Sequence, residues 1–452
     1  MDKKNQSKCG RVVIFNHLEG YFDFLARSDA DDTLVFRKWA DHGDRALFWL
    51  GDRKLVIVSR PITDADRICR HWGYQGTQVA APEKPSCRLS LDILRENHLI
   101  QAVINQAGED GVVELVPYVA TKFFYQLVSE LRACYGLEVR LPESPELENL
   151  WLRDDVDTKA GFRDLATRWL ERDDILPEGV VTPNVGQAGP AIKRFLSLGY
   201  GCVIKSNQGV NGMGNLIIQA NNDLKNDDID QLLKENNYFQ DEKVVVERYI
   251  PSPDNIFPSL EIFVPRDLHE PPSITYLSQQ LFDGNGYFEG VWIGRELLEK
   301  LWYPELAHAG VQMGKQLQSS GYVGYFDLDA IIDEAGKLYL LEINARRTGG
   351  THVHEFAYEQ IGRLYLECVD LLNYSHIPCE TSTEFYELEL QLGDLFFPIN
   401  GEQRGVVISS TSKLIEGSIG CIFIGASYAD AQDIELRVRQ RLDKTIPAQD
   451  RP

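Results

Sequence analysis

Asp329, Glu342 and Asn344 have the side chains and spacing to hold a hard cation, with Asp327 beside them. They fall in Gly324-Tyr-Phe-Asp327-Leu-Asp329 and Leu341-Glu342-Ile-Asn344-Ala-Arg346, two apolar runs that read as neighbouring strands. Side chains alternate along a strand, so Asp327 and Asp329 share one face, as do Glu342, Asn344 and Arg346. Asp333-Glu-Ala-Gly336-Lys supplies turn chemistry between the runs. A hairpin closed there brings Asp329 close to Glu342. Acids and an amide on one face are costly to bury without a cation. Oxygen ligands with no Cys or His suit Mg²⁺, which commonly also takes phosphate oxygens. A metal–triphosphate site is the first expectation.

Elements upstream supply what a triphosphate would need. Val203-Ile-Lys205 reads as a strand ending in a point charge suited to phosphate. Gly209, Gly212 and Gly214 follow within six residues and let backbone N–H groups approach phosphate oxygens. This is neither a Walker loop nor a dinucleotide fingerprint, and alone it could be a glycine-rich hairpin turn. Glu247-Arg-Tyr249-Ile250 ends an apolar strand just before Pro251 and Pro253, a place where backbone groups can pair an adenine edge.

The bulk properties are those of a globular chain. Its 452 residues allow two or three domains, and 43% hydrophobic with 25% charged residues is ordinary for a soluble fold. A net charge of -22 argues against nucleic acid or an anionic membrane as a general partner. No apolar run reaches the length of a membrane span, and the basic start lacks a signal-peptide core. The eight scattered cysteines contain no Cys-x-x-Cys pair and read as reduced thiols, so a cytoplasmic location is expected. A homodimer is the commonest oligomeric expectation.

The chain divides by pattern into three parts. Residues 1–145 alternate strands (Arg11–Phe15, Ala46–Leu50, Lys54–Val58, Val112–Val116) with helical segments such as Thr121–Cys134, an open α/β arrangement. Such a sheet could bind a ligand at its strand ends. Residues 146–380 open with helical sequence over 146–172 that contains Lys159, continue through the strands above, and end in a helix over 354–372. Residues 381–452 form a small terminal α+β unit.

The order strand–Lys205, glycine loop, Glu247-x-x-Ile250, Asp329, then Glu342-Ile-Asn344-Ala-Arg346 resembles the ATP-grasp superfamily over roughly residues 150–380. Arg346-Arg-Thr-Gly349-Gly350-Thr-His352, the N-terminal α/β domain and Ser278-Gln-Gln280-Leu-Phe-Asp-Gly284 with Tyr287 further resemble the pheganomycin-type peptide ligases. The resemblance implies a pre-ATP-grasp domain, a catalytic ATP-grasp fold with nucleotide between two α+β lobes, and a C-terminal domain. It implies that Lys205 and Lys159 contact phosphates and that Gly209, Gly212 and Gly214 close over them. Glu247, Tyr249 and Ile250 would hold adenine, and Asp254 would reach the ribose. Asp329, Glu342 and Asn344 would ligate one or two Mg²⁺, and Arg346 would stabilise the transferring phosphoryl group.

The implied activity is ATP- and Mg²⁺-dependent ligation of a small-molecule carboxylate to an amine, such as an amino acid or peptide, through an acyl phosphate. The products would be ADP and phosphate, and a place in secondary metabolism fits the peptide ligases. A small-molecule kinase and a non-catalytic ATP-binding regulator are the alternatives. Gln280, Tyr287, Gly349, Gly350 and His352 are the substrate-side expectations. His352 and His354, read as neighbours on one strand face, have no third His or Cys to make a zinc site. Arg347 reads as an exposed salt-bridge residue, Asp327 as a neighbour of the ligand set, and Trp292, Trp302 and Tyr303 as packing.

Overall fold

The computed structural model describes residues 9–443 apart from 28–30, 173, 211, 221–225, 240–241, 285 and 381–383. Three sheets organise the chain. The first holds β1 (Gly10–Ile14), β2 (Leu55–Ile57), β3 (Gln78–Ala80), β4 (Val112–Pro117) and β5 (Glu138–Arg140) in the order β3-β2-β1-β4-β5, every pair parallel. Its central strands are mostly apolar because both faces are covered, one by helices and the other by the core shared with the third sheet; Val12, Val13 and Ile14 are wholly buried. Chain order reverses beside β1, so a crevice opens at the carboxyl ends of β1 and β4. Asn16 stitches that crevice, donating from Nδ2 to the Val119 carbonyl (2.9 Å) and accepting the Val119 N–H (3.2 Å).

The second sheet is antiparallel: β6 (Gly179–Thr182), β7 (Cys202–Ser206), β8 (Asn215–Ile218) and β9 (Val244–Arg248), ordered β6-β9-β7-β8. The third has eight strands. These are β10 (Pro258–Val264), β11 (Ser273–Phe282), β12 (Phe288–Ile293), β13 (Gly324–Ile332), β14 (Leu338–Asn344), β15 (Asp370–Pro378), β16 (Gly405–Ser410) and β17 (Ser418–Gly425). They run β14-β13-β10-β11-β12-β15-β17-β16, all antiparallel. The acid-bearing hairpin β13–β14 is one edge of this sheet, and the last strands of the chain complete the other. That far end shares one apolar core with the first sheet, joining Val56 and Trp49 to Phe356, Val406 and Phe423.

Several local expectations give way to tertiary context. Ala46–Leu50 lies largely in a 3₁₀ turn, Gly43–Phe48, rather than a strand, and Leu50 and Gly51 then take positive φ. The helix expected over 146–172 is broken: Leu150–Val156 ends before Thr158, whose hydroxyl caps Lys159–Leu170 by accepting the Gly161 N–H at 3.0 Å. The helix expected over 354–372 is instead Thr351–Gln360, and residues 370–378 are β15, an interior strand. His352 and His354 therefore sit on a helix, about 200° apart around its axis, and not on one strand face.

Candidate active site

The hairpin forms as its turn residues require. Asp333 accepts the N–H groups of Ala335 and Lys337 through Oδ1, and Gly336 supplies the positive φ of +80°. The resulting register sets Asp329 opposite Glu342 and Asp327 opposite Asn344. Strand β10 lies on the other side of β13 and adds Ser259 beside Asp329 and Glu261 beside Asp327. Two polar rows thus cross three strands, Ser259–Asp329–Glu342 and Glu261–Asp327–Asn344.

The first row is short of positive charge. Burial and the neighbouring Glu342 together raise the Asp329 pKa. Asn344 Nδ2 donates to Asp329 Oδ2 at 2.9 Å, while Asn344 Oδ1 accepts from Arg346 Nη2 at 2.8 Å. Glu342 is paired with Lys159. Burial opposes ionisation of Glu342, but Lys159 outweighs it and holds the carboxyl below the usual range. The same pair raises Lys159 against its own desolvation. Among the described residues, no group of three or more His, Cys, Asp or Glu side chains could hold a metal. Two carboxylates and an amide are nonetheless a sound partial set for Mg²⁺, whose remaining positions phosphate oxygens and water commonly fill. The Lys159 ammonium already occupies the place on Glu342 that a cation would claim. A metal at Asn344 would need the amide oxygen that Arg346 now engages.

Lys159 and Lys205 approach from one junction. The Lys159 N–H donates to the Asn207 carbonyl and the Ala160 N–H to Asn207 Oδ1, both at 3.0 Å, which ties that helix start to the end of β7. Lys205 Nζ is 2.6 Å from Glu247 Oε2, and Arg163 Nη1 donates to Glu247 Oε1 at 2.9 Å. Both carboxylate oxygens of Glu247 are therefore engaged. Beyond it the Tyr249 N–H goes to the Gly201 carbonyl, whereas the Ile250 N–H has no backbone partner among the described residues. Asp254 is exposed on the following turn.

The glycine loop returns from β7 into β8. Gly212 and Gly214 have φ of +80° and +84°, conformations that a side chain would strain. A Cβ on Gly214 would also stand 3.2 Å from the Phe24 ring of the N-terminal domain, and one on Gly212 3.3 Å from the Gly286 carbonyl. The loop therefore meets both the segment that carries Phe24 and the turn that carries Tyr287. Tyr287 is exposed, and Gln280 lies partly buried on β11.

After β14 the two arginines diverge. Arg346 stacks on the Tyr21 ring at 5.0 Å, and burial lowers its pKa to about 9. Its only hydrogen-bond partner among the described residues is Asn344. Arg347, expected at the surface, is instead 2% exposed. It makes two 2.8 Å bonds to Glu143 and one of 2.5 Å to Glu355, between the rings of Trp49 and Tyr325 (4.7 Å each). Gly349 and Gly350 lead into the helix Thr351–Gln360, where Tyr276 packs so close that a Cβ on Gly350 would meet its hydroxyl.

Glu261 was not among the sequence expectations. It is wholly buried, accepting from Thr275 Oγ1 (2.8 Å) and Thr351 Oγ1. Its one sequence signal was an acid in the otherwise apolar run Leu260–Val264. Asp327 accepts from Thr348 (2.7 Å) and Ser259 (3.2 Å), and its Oδ1 is buried without a partner. Burial and then Glu261 raise its pKa well above the carboxylate range. Asp327 is thus held by Thr348 and Ser259 in the second row, next to the row that carries Asp329.

No family model matches the sequence, and no curated protein matches it significantly. Solved structures do. Biotin carboxylase from Campylobacter jejuni, as its β,γ-ATP complex, superposes with a TM-score of 0.57 at 13% identity over 96% of this chain and 91% of that one. N5-carboxyaminoimidazole ribonucleotide synthetase from Thermus thermophilus gives 0.54 at 12% identity, over 97% and 99%. The Aspergillus clavatus synthase bound to ADP and 5-aminoimidazole ribonucleotide gives 0.54 at 12%, over 96% and 99%. The likeness spans essentially the whole chain, and the fold is that of the ATP-grasp ligases. At such identities it is the fold that is shared.

Proposed function

We propose that the protein is an ATP- and Mg²⁺-dependent carboxylate–amine ligase that joins a small acid to an amine, an amino acid or peptide being the leading acceptor. The observation carrying this reading is the Asp329–Glu342 pair, with Asn344 donating to Asp329 and with Lys159 and Lys205 facing the pair. Joining a carboxylate to ATP brings anions together, so a divalent cation and fixed cations must offset the repulsion. Bound Mg²⁺ would supply charge neutralisation at the phosphates, held by Asp329, Glu342 and the Asn344 oxygen.

The chain's own residues have separable tasks. Lys159 and Lys205 exchange their carboxylate partners for phosphate oxygens. Gly209, Gly212 and Gly214 let the loop backbone lie against those oxygens and exclude water, which an acyl phosphate requires. Ile250 offers its free N–H to the adenine edge, beside Glu247 and Tyr249, with Asp254 toward the ribose. Arg346 lacks a carboxylate partner and is placed to take negative charge on the transferring group. Gln280, Tyr287, Gly349 and Gly350 line the substrate side in this reading.

The test is ADP release with Mg·ATP and pools of acids and amines. Release that depends on both an acid and an amine supports the ligase. Phosphorylation of a hydroxyl would identify a kinase instead, and nucleotide binding without turnover a regulator.

A further inference from the structure

The crevice at the carboxyl ends of β1 and β4 carries an unbalanced set of cationic and polar groups. Arg45 leaves the 3₁₀ turn Gly43–Phe48 and makes no ion pair or hydrogen bond among the described residues, and its Nε is buried. Around it stand His17 at the start of the helix His17–Leu25 that follows β1, His42 before the turn, and His352 near the start of the helix Thr351–Gln360. His352 is 1% exposed, and neither ring nitrogen makes a hydrogen bond of good geometry, the Gly349 backbone being its nearest polar neighbour. Buried Nδ1 atoms of His17 and His42, the Tyr21 hydroxyl and the Trp49 indole N–H are likewise unpartnered. Tyr118 and Tyr21 flank His17 with ring centroids 5.0 and 5.2 Å away.

Burial lowers the Arg45 pKa; the nearest acid, Asp44, raises it through space but does not pair with it. Its Oδ2 is taken by the backbone N–H groups of Thr411 and Ser412, the latter at 2.9 Å, and its Oδ1 is buried without a hydrogen-bond partner. Burial first, and then neighbouring cations that include Arg45 in every case, lowers the pKa of His17, His42, His352 and His376. Lys413 adds to the effect on His42 and His376, and Arg346 to that on His17. Arg45, His17 and His42 are only partly covered, so solvent reaches the crevice. Unpaired buried donors around a cation without an ion-pair partner cost stability unless an anion completes them. The crevice is also the switch point of the parallel sheet, where such folds place ligands.

We propose that this crevice is an anion subsite in which Arg45, with His17, His42 and His352, takes a carboxylate or phosphate group of a substrate that reacts at Arg346. The proposal rests on the ligase reading for the reacting end. It deepens that reading by giving one substrate a second anionic group, remote from the bond that forms. Tyr21 connects the two ends, since it packs on both His17 and Arg346. The acceptable substrates are then dicarboxylates, amino acids presenting their carboxylate, or phosphorylated acids and amines.

Calorimetric titration of the full chain with sodium phosphate and with succinate, without nucleotide, tests the subsite. Repeating it in two buffers of different ionisation heat measures proton uptake. Saturable binding with proton uptake is expected, because an anion favours the charged imidazoles. Arg45→Gln should weaken it roughly ten- to a hundred-fold, the scale of a lost charged hydrogen bond. The same variant should unfold at the parent temperature or above it, since an uncompensated charge is removed. Tighter phosphate assigns a phosphoryl substrate, and tighter succinate a carboxylate. No saturable binding of either probe, or equal binding by Arg45→Gln, overturns the proposal. Should that variant not fold, His17→Gln serves: weaker binding with less proton uptake supports the subsite, and no change in either overturns it. Mg·ATP is titrated separately, so loss of nucleotide binding with anion binding intact overturns the ligase reading alone.

Discussion

The acid-bearing cleft and the N-terminal crevice solve the problem of buried charge in opposite ways. In the cleft each lysine has a carboxylate, Lys159 with Glu342 and Lys205 with Glu247. In the crevice Arg45 has none among the described residues, and the histidines near it are held neutral by burial. A balanced cleft can receive a metal together with a polyanion, because cation and anion arrive as a pair and the internal partners separate. An unbalanced crevice can receive only an anion. On the proposed reading, the contrast matches each end of the site to the charge of what it would bind.

Arg347 is the joint between the two regions, and breaking it should have the largest effect. Its loss would strand Glu143 and Glu355 as buried carboxylates, and the Leu50 N–H bond to Glu355 (2.5 Å) depends on the same cluster. Arg347→Ala should cost about 3–5 kcal/mol of stability in denaturant unfolding. A change below 1 kcal/mol would mean that the two regions are not joined there.

Glu342→Gln comes next and acts on the cleft alone. Turnover should fall on the order of 10²- to 10³-fold, with the unfolding temperature little changed and the binding of phosphate in the crevice intact. Unchanged turnover would remove Glu342 from the metal set. Gly214→Ala should be milder, costing roughly 1–2 kcal/mol through its left-handed backbone, and should raise the KM for ATP because the loop no longer closes against Phe24. Circular dichroism with steady-state kinetics separates these two effects.

The smallest expected effect is a pH dependence that belongs to the crevice. Burial, with Arg346 and Arg45, lowers the His17 pKa to about 3 from the ordinary 6.5. Between those values the unfolded chain binds a proton that the folded chain refuses. The His17 contribution is therefore complete above pH 6.5 and is lost as pH falls toward 3. His17→Gln should flatten that limb of the stability profile measured without anion. An identical limb would show that another group controls it.

How much was legible follows from how locally each feature is determined. The hairpin register was readable because Asp333 and Gly336 fix the turn and alternation fixes the faces. Lys205 and the glycines were readable for the same reason. Arg347 was not: nothing near it in sequence shows that Glu143 arrives from about 200 residues upstream. Glu261 was missed because a single acid in an apolar strand reads as a surface residue until β13 lies beside it. The crevice was invisible as a unit, since His17, Arg45 and His352 come from three distant segments. Ala46–Leu50 misled because its apolar residues face a core shared with residues from the far end of the chain, and not a sheet neighbour.

The central claim is that the cleft exchanges internal ion pairs for a metal–nucleotide complex. Equilibrium binding of a non-hydrolysable ATP analogue, with and without Mg²⁺, to the parent protein and to Glu342→Gln tests it most directly. The expected result is saturable binding that strengthens with Mg²⁺ in the parent and loses that Mg²⁺ dependence in Glu342→Gln. Absence of binding, or a Mg²⁺ dependence equal in both proteins, would contradict the account.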